Sequence, residues 1–86
     1  MPEYTVVFAR SARKELENLP ASIAQRILSA IERLRTNPRP AGVRKIRGAE
    51  GLWRLRVGDY RVLYAIDEAQ PLVDIQVVRH RKDAYR

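Results

Sequence analysis

The stretch Trp53–Tyr64 constrains this chain more than any other. Apolar residues alternate with arginine there on both sides of a Gly58-Asp59 pair. Alternation of that kind around a two-residue, glycine-containing link predicts a tight β-hairpin. With Gly58 and Asp59 at its tip, Val57 faces Tyr60, Arg56 faces Arg61, Leu55 faces Val62, Arg54 faces Leu63 and Trp53 faces Tyr64. Successive side chains of a strand point to opposite faces. Trp53, Leu55, Val57, Tyr60, Val62 and Tyr64 therefore share the face to be buried, and Arg54, Arg56 and Arg61 share the other. Slipping the pairing by one residue would send Arg61 to the apolar side, so the turn decides the surface chemistry. Arginines opposed across strands repel by a few tenths of a kcal/mol up to about 1 kcal/mol. The hairpin has no carboxylate on that face to offset the repulsion. Either acids from elsewhere in the fold pair with these arginines, or the cluster waits for an external anion such as phosphate.

The rest of the chain supplies a scaffold for the hairpin. Residues 3–8 are β-branched and aromatic and read as a strand. Ser11 is the expected N-cap of a first helix carrying Leu16 and Leu19, stopped by Pro20. Ser22 is the expected cap of a second helix, whose Ile23, Ile27, Leu28, Ile31 and Leu34 form one apolar stripe at helical period. Thr36-Asn37-Pro38-Arg39-Pro40 ends that helix. Short strands are expected at Val43–Ile46, Trp53–Val57, Tyr60–Ile66 and Leu72–Val78, the last with Val73, Ile75 and Val77 on one face. Helices followed by a run of strands imply an α+β fold: an N-terminal strand, an αα-hairpin, then a three- to four-stranded, mostly antiparallel sheet. With 86 residues the chain is read as a single domain, 1–86.

Composition narrows the chemistry. There is no cysteine, which excludes disulfides, cysteine-ligated zinc and thiol catalysis. A single histidine, His80, builds no multi-histidine metal site, and no carboxylate cluster is visible, so no cofactor or metal is expected. Apolar runs are too short to span a membrane, and the start lacks the pattern of a signal peptide, so a cytoplasmic protein is expected. The net charge is +7, and arginine outnumbers lysine fourteen to three. Residues 39–61 carry net +5 and residues 79–86 net +3. Positive charge concentrated in two blocks suits a polyanion, above all nucleic acid, and guanidinium suits phosphate because it donates two parallel hydrogen bonds.

The second block is the tail Arg79–Arg86. His80 is the one side chain there whose unperturbed pKa lies near neutrality, at about 6.5, which makes it a candidate base. Tyr85 can donate a proton or stack on a nucleobase. Nearby cations favour neutral imidazole and ease formation of the phenolate.

Three segments, Lys45–Gly48, Trp53–Tyr64 and His80–Tyr85, together resemble the RelE toxins of bacterial and archaeal toxin–antitoxin systems, within the RelE/ParE superfamily. The resemblance runs from the Tyr4–Phe8 strand to Tyr85. It implies a compact α+β ribonuclease fold and cleavage of mRNA in the ribosomal A site, without a cofactor. It also implies neutralisation by a wrapping RelB-like antitoxin and contact with operator DNA only through the antitoxin complex. The family's active-site basic residues fall on Arg54, Arg56, Arg61 and Arg79, with Arg81 as the alternative to Arg79, and its catalytic tyrosine falls on Tyr85. Lys45, Arg47 and Arg81 are further candidates for RNA phosphate contacts. In the best-known pattern, the positions of Arg54 and Arg56 are lysines. Lysine can lose its proton and act as a base where arginine cannot, so a base role does not transfer to either.

These residues suit attack of an RNA 2′-hydroxyl on the adjacent phosphate. Arg61 with Arg54 or Arg56 would hold the phosphoryl charge, His80 or else Tyr85 would take the proton, and Arg79 would assist the leaving oxygen. The constellation is thin, which agrees with dependence on the ribosome to order the RNA. Two other readings stay open: a ParE-like inhibitor of DNA gyrase, and a non-catalytic RNA-binding module, with a degenerate toxin as a weaker third.

Overall fold

The computed structural model describes residues 3–48 and 51–82. In chain order the elements are β1 (Thr5–Phe8), α1 (Arg10–Glu17), α2 (Ala21–Arg33), β2 (Arg44–Lys45), β3 (Leu52–Val57), β4 (Tyr60–Asp67) and β5 (Leu72–His80). All the strands join one five-stranded sheet in the order β1-β5-β4-β3-β2. The α+β expectation holds, with one addition. The N-terminal strand enters the same sheet, parallel to β5, while the other pairings are antiparallel. Neither helix is long and apolar enough to cross a membrane.

The hairpin forms in the expected register. Val57 pairs with Tyr60, Arg56 with Arg61, Leu55 with Val62, Arg54 with Leu63 and Trp53 with Tyr64. Gly58 lies at φ +58, and among the described residues no non-glycine has a positive φ, so Asp59 completes the pattern of a type II′ turn. Val62 and Tyr64 are fully buried under the helices, alongside Val73, Ile75 and Val78 of β5.

Both helices cover that one face. Ala12 and Leu16 of α1, Ile27 and Ile31 of α2, and Leu34 just beyond it complete the core. The buried seam of α2 is narrower than the expected stripe. Leu28, one residue around the helix from Ile27, is 43% exposed. Neither serine caps a helix. Ala9 and Pro20 are the N-cap residues, and neither makes a side-chain cap bond. The reason is tertiary for α1: the Ala9 N–H donates to the Ile75 carbonyl at 2.8 Å, so the sheet itself sets where α1 begins. For α2, the Pro20 carbonyl accepts from the N–H groups of Ile23 and Ala24, two residues ahead of the expected start.

The connection from α2 to β2 is tied down at several points. The buried Tyr64 hydroxyl donates to the Pro38 carbonyl at 2.7 Å, and the Tyr4 N–H donates to the Arg35 carbonyl. Glu68 accepts from the Tyr4 hydroxyl at 2.6 Å and from Arg39 at 2.8 Å, and the Arg39 guanidinium lies 5.2 Å from the Trp53 ring centre. Those two hydrogen bonds hold the Glu68 carboxyl below its ordinary range, and the same bond pushes the Tyr4 hydroxyl above its own.

Two expectations about the last strand are corrected. The strand does not stop at Val78. It runs to His80, because Arg79 pairs with Arg61 and His80 with Tyr60. Its alternation also breaks. Tyr64 pairs with Ile75 and Leu63 with Val77, which leaves Gln76 as the extra residue of a β-bulge. Val78, not Val77, therefore returns to the core, at 1% exposure.

Two outcomes are expected. Deleting Gln76 removes the surplus residue and leaves Val78 opposite Val62 and Arg79 opposite Arg61, so the core should be kept and stability in urea unfolding should change by no more than about 1 kcal/mol. Burial pushes the Tyr64 hydroxyl up to about 12. The raised value means its contribution is complete below the unfolded tyrosine pKa of about 10 and is lost as pH rises through about 12. Tyr64→Phe should cost about 1 kcal/mol near neutral pH by losing the bond to Pro38. It should also flatten the loss of stability between about pH 10 and 12, measured by urea melts across that range.

Candidate nucleic-acid interface

Three arginines form a row across the sheet. Arg56 on β3 pairs with Arg61 on β4, and Arg61 pairs with Arg79 on β5. Residues paired across strands share a face, so all three point away from the helices, roughly 5 Å from strand to strand. Arg54, two residues before Arg56, lies on the same face, and Arg44 of β2 pairs with Arg54.

Each position has a local cause. The two-residue turn places Arg56 opposite Arg61. The bulge at Gln76 places Arg79 opposite Arg61. Strict alternation from Val73, Ile75 and Val77 would have put Arg79 on the core side and His80 among the arginines. With the extra residue the two exchange sides.

The electrostatics of the row are unbalanced. Arg61 is only 4% exposed, yet among the described residues its Nε has no hydrogen-bond partner, and its Nη1 makes a long contact, 3.5 Å, to the Tyr60 carbonyl. Among the described residues, Arg56, Arg61 and Arg79 form no ion pair. Glu15 of α1 lines a small recess beside Arg79 without pairing with it. Three carboxylates serve other cations: Glu32 binds Arg35, Glu68 binds Arg39, and Asp59 lies 3.9 Å from Arg81. Removing a cation from water without a counter-ion costs several kcal/mol, so an anion placed on this row would relieve a tension already present in the folded protein.

The remaining expected site residues divide. Arg81 sits at the hairpin tip, its N–H donating to the Asp59 carbonyl at 2.7 Å, so Arg79 rather than Arg81 belongs to the row. His80 pairs with Tyr60 on the helix side of the sheet, edge-on to the Tyr60 ring at 5.3 Å, and its Nδ1 accepts from the Lys82 N–H at 3.2 Å. It does not share the face of the arginines. Lys45 pairs with Trp53, on the side opposite Arg54, and Arg47 is exposed just after β2. Tyr85 lies outside the described residues. Sequence reasoning missed Arg44. Its only signal was its place in the basic run Arg44–Arg47, because the length of the following turn hides which of those residues meets Arg54.

The chain matches the family model described as ParE toxin of type II toxin-antitoxin system, parDE, over residues 6–85. It is 38% identical to the toxin RelG of Mycobacterium tuberculosis over 84 residues, covering 96% of this chain and 97% of that one. Its fold is similar to the crystal structure of the archaeal RelE–RelB complex from Pyrococcus horikoshii, with a TM-score of 0.82 and 30% identity over 95% of this chain and 99% of that chain. It is also similar to the toxin–antitoxin complex RelBE2 of M. tuberculosis, with a TM-score of 0.78 and 35% identity over 92% and 99% of the two chains. An α+β scaffold with this sheet order and a near full-length match to toxins of one kind lead to a single assignment: the chain belongs to the RelE/ParE family of toxins from type II toxin–antitoxin systems.

Proposed function

We propose that this toxin is a metal-independent endoribonuclease that cuts mRNA in the ribosomal A site and so blocks translation. The observation that supports this reading is the buried, unneutralised Arg61 flanked by Arg56 and Arg79. The RNA 2′-hydroxyl attacks the adjacent phosphorus, the bond to the 5′ oxygen breaks, and the products are a 2′,3′-cyclic phosphate and a 5′-hydroxyl. Negative charge builds on the phosphoryl oxygens during that step. Guanidiniums held in place beforehand stabilise it without reorganisation, an effect worth about 3–4 kcal/mol per well-placed donor. Arg61 is the central donor, with Arg56 and Arg79 at its sides and Arg54 and Arg44 extending the cationic surface.

Proton transfer is the weak part of this chemistry. Arginine is a poor acid and a worse base, and His80 faces the other way. Tyr85 is the residue we assign to the proton or to stacking on the base beside the cut. So sparse a set of groups fits an enzyme that relies on the ribosome to bring the 2′-hydroxyl into line. A RelB-like antitoxin, the partner of the similar toxin from P. horikoshii, would neutralise the charged surface by covering it. Operator DNA would be met only through that complex. The matching family model bears the ParE name, which keeps gyrase inhibition as the second reading. Relaxation of plasmid DNA by gyrase, assayed beside in vitro translation, separates the two.

Primer-extension mapping of mRNA from cells expressing the chain tests the proposal. Cuts inside translated codons that vanish when translation is blocked are the expected result, and intact mRNA alongside inhibited gyrase is the contrary one. Arg61→Ala should lower cleavage at least about 100-fold. Arg61→Leu should also lose cleavage while being more stable than the wild type in urea unfolding, by about 1–2 kcal/mol, because it removes a desolvated cation from a row of like charges. Full cleavage by either variant would refute the electrostatic role. His80→Ala should keep most of the activity and Tyr85→Phe should lose it, read as single-turnover rates on programmed ribosomes. The reverse pattern would return the base role to His80.

A further inference from the structure

A second group of arginines lies outside the row. Between α2 and the β3–β4 turn is an open cleft of about 730 Å³. Ser22, Arg26, Ser29 and Arg33 line one wall, all on a single face of α2, and Arg56 and Gly58 line the other. No lining side chain is acidic. The nearest carboxylates in sequence are turned elsewhere, Glu32 to Arg35 and Asp59 toward Arg81. Among the described residues, Arg26, Arg33 and Arg56 make no ion pair. At one end of the cleft the Arg26 guanidinium reaches the turn, its Nη2 lying 3.5 Å from where a Cβ on Gly58 would stand. Arg33 is seven residues further along α2, about 10 Å up the helix axis, so the two cations stand apart along one wall with a serine between them.

The cleft is joined to the arginine row. β2 pairs only Arg44 and Lys45 with Arg54 and Trp53, so it leaves the β3 edge uncovered beside residues 55–57. Arg56 stands at that edge and belongs to both places: it pairs with Arg61 in the row and lines the cleft. Cations therefore continue from Arg79 and Arg61 through Arg56 to Arg26 and Arg33, around the edge of the sheet. A chain of phosphates needs such a series of separated donors, whereas a single small anion needs only one site.

We propose that the α2–β3 cleft is a second RNA-backbone site, which grips phosphodiesters away from the scissile one through Arg26 and Arg33. This rests on the ribonuclease reading of the row. The phosphates belong either to mRNA flanking the cut or to structured ribosomal RNA, and salt dependence tells them apart. Each phosphate contact contributes about 0.7 to the slope of log affinity against log salt on a single strand and about 0.9 on a duplex.

The test is the double variant Arg26→Ala/Arg33→Ala in the full chain. Its binding is measured between about 50 and 200 mM salt to a short single-stranded RNA blocked at the 2′ positions, and separately to ribosomes without mRNA. Arg10→Ala/Lys14→Ala, which removes the same charge from α1, is the control. The expected result is a slope reduced by about 1.4 on the single strand or about 1.8 on the ribosome, with a clearly smaller change in the control. The affected RNA names the source of the phosphates. An unchanged slope on both RNAs, or an equal fall in the control, overturns the cleft. Cleavage by the wild type on programmed ribosomes reads the nuclease assignment separately. A protein that does not cut but still shows the slope change keeps the cleft and discards the nuclease, and a protein that cuts with no slope change does the opposite.

Discussion

The pleat of β4 divides the molecule. Val62 and Tyr64 send their side chains into the helices and are fully buried, while Arg61 points the other way. Because β4 is central, its neighbours must match it on both sides, through the Gly58-Asp59 turn to β3 and through the bulge at Gln76 to β5. The hydrophobic face and the cationic face are two outcomes of one register. A shift that spoiled either would spoil both.

Arg61 is where stability and the proposed function conflict. A guanidinium that is almost fully buried, with an unpartnered Nε and arginines on both flanks, is a poor choice for a structural residue. The fold tolerates it because the opposite face supplies a continuous core, reinforced by Tyr64 bonding to Pro38 and by the cluster of Tyr4, Glu68, Arg39 and Trp53 around the α2–β2 connection. Cations that serve structure (Arg35 and Arg39) are matched with acids, and among the described residues those in the row are not. The same contrast extends to the α2 cleft, where Glu32 is committed to Arg35 and, among the described residues, Arg26 and Arg33 form no ion pair.

Much was legible from local pattern. The hairpin register followed from alternation around a glycine-containing link, and the α2 seam of Ile27, Ile31 and Leu34 followed from helical period. Misreadings arose where local and long-range signals differ. Ser11 and Ser22 looked like caps, but a backbone bond from Ala9 to Ile75 starts α1 and the Pro20 carbonyl starts α2. Leu28 looked like core, but the sheet meets only one narrow side of α2. In the site, Arg54, Arg56 and Arg61 could be placed together in advance. Arg79 and His80 could not, because nothing in Val73–Val78 announces that Gln76 is surplus.

What the residues determined by themselves was the content of the two faces: alternation makes β3 and β4 apolar on one side and basic on the other, whatever packs around them. Tertiary structure decided which further residues join each side. It made β1 a parallel edge strand, brought Arg44 next to Arg54, exchanged the sides of Arg79 and His80, and folded Arg26 of α2 against Gly58. The reason is physical. Alternation is a property of neighbouring bonds and can be read along a strand, whereas a bulge, a crossover or a helix docking is set by the burial of distant groups against each other, which no single segment carries.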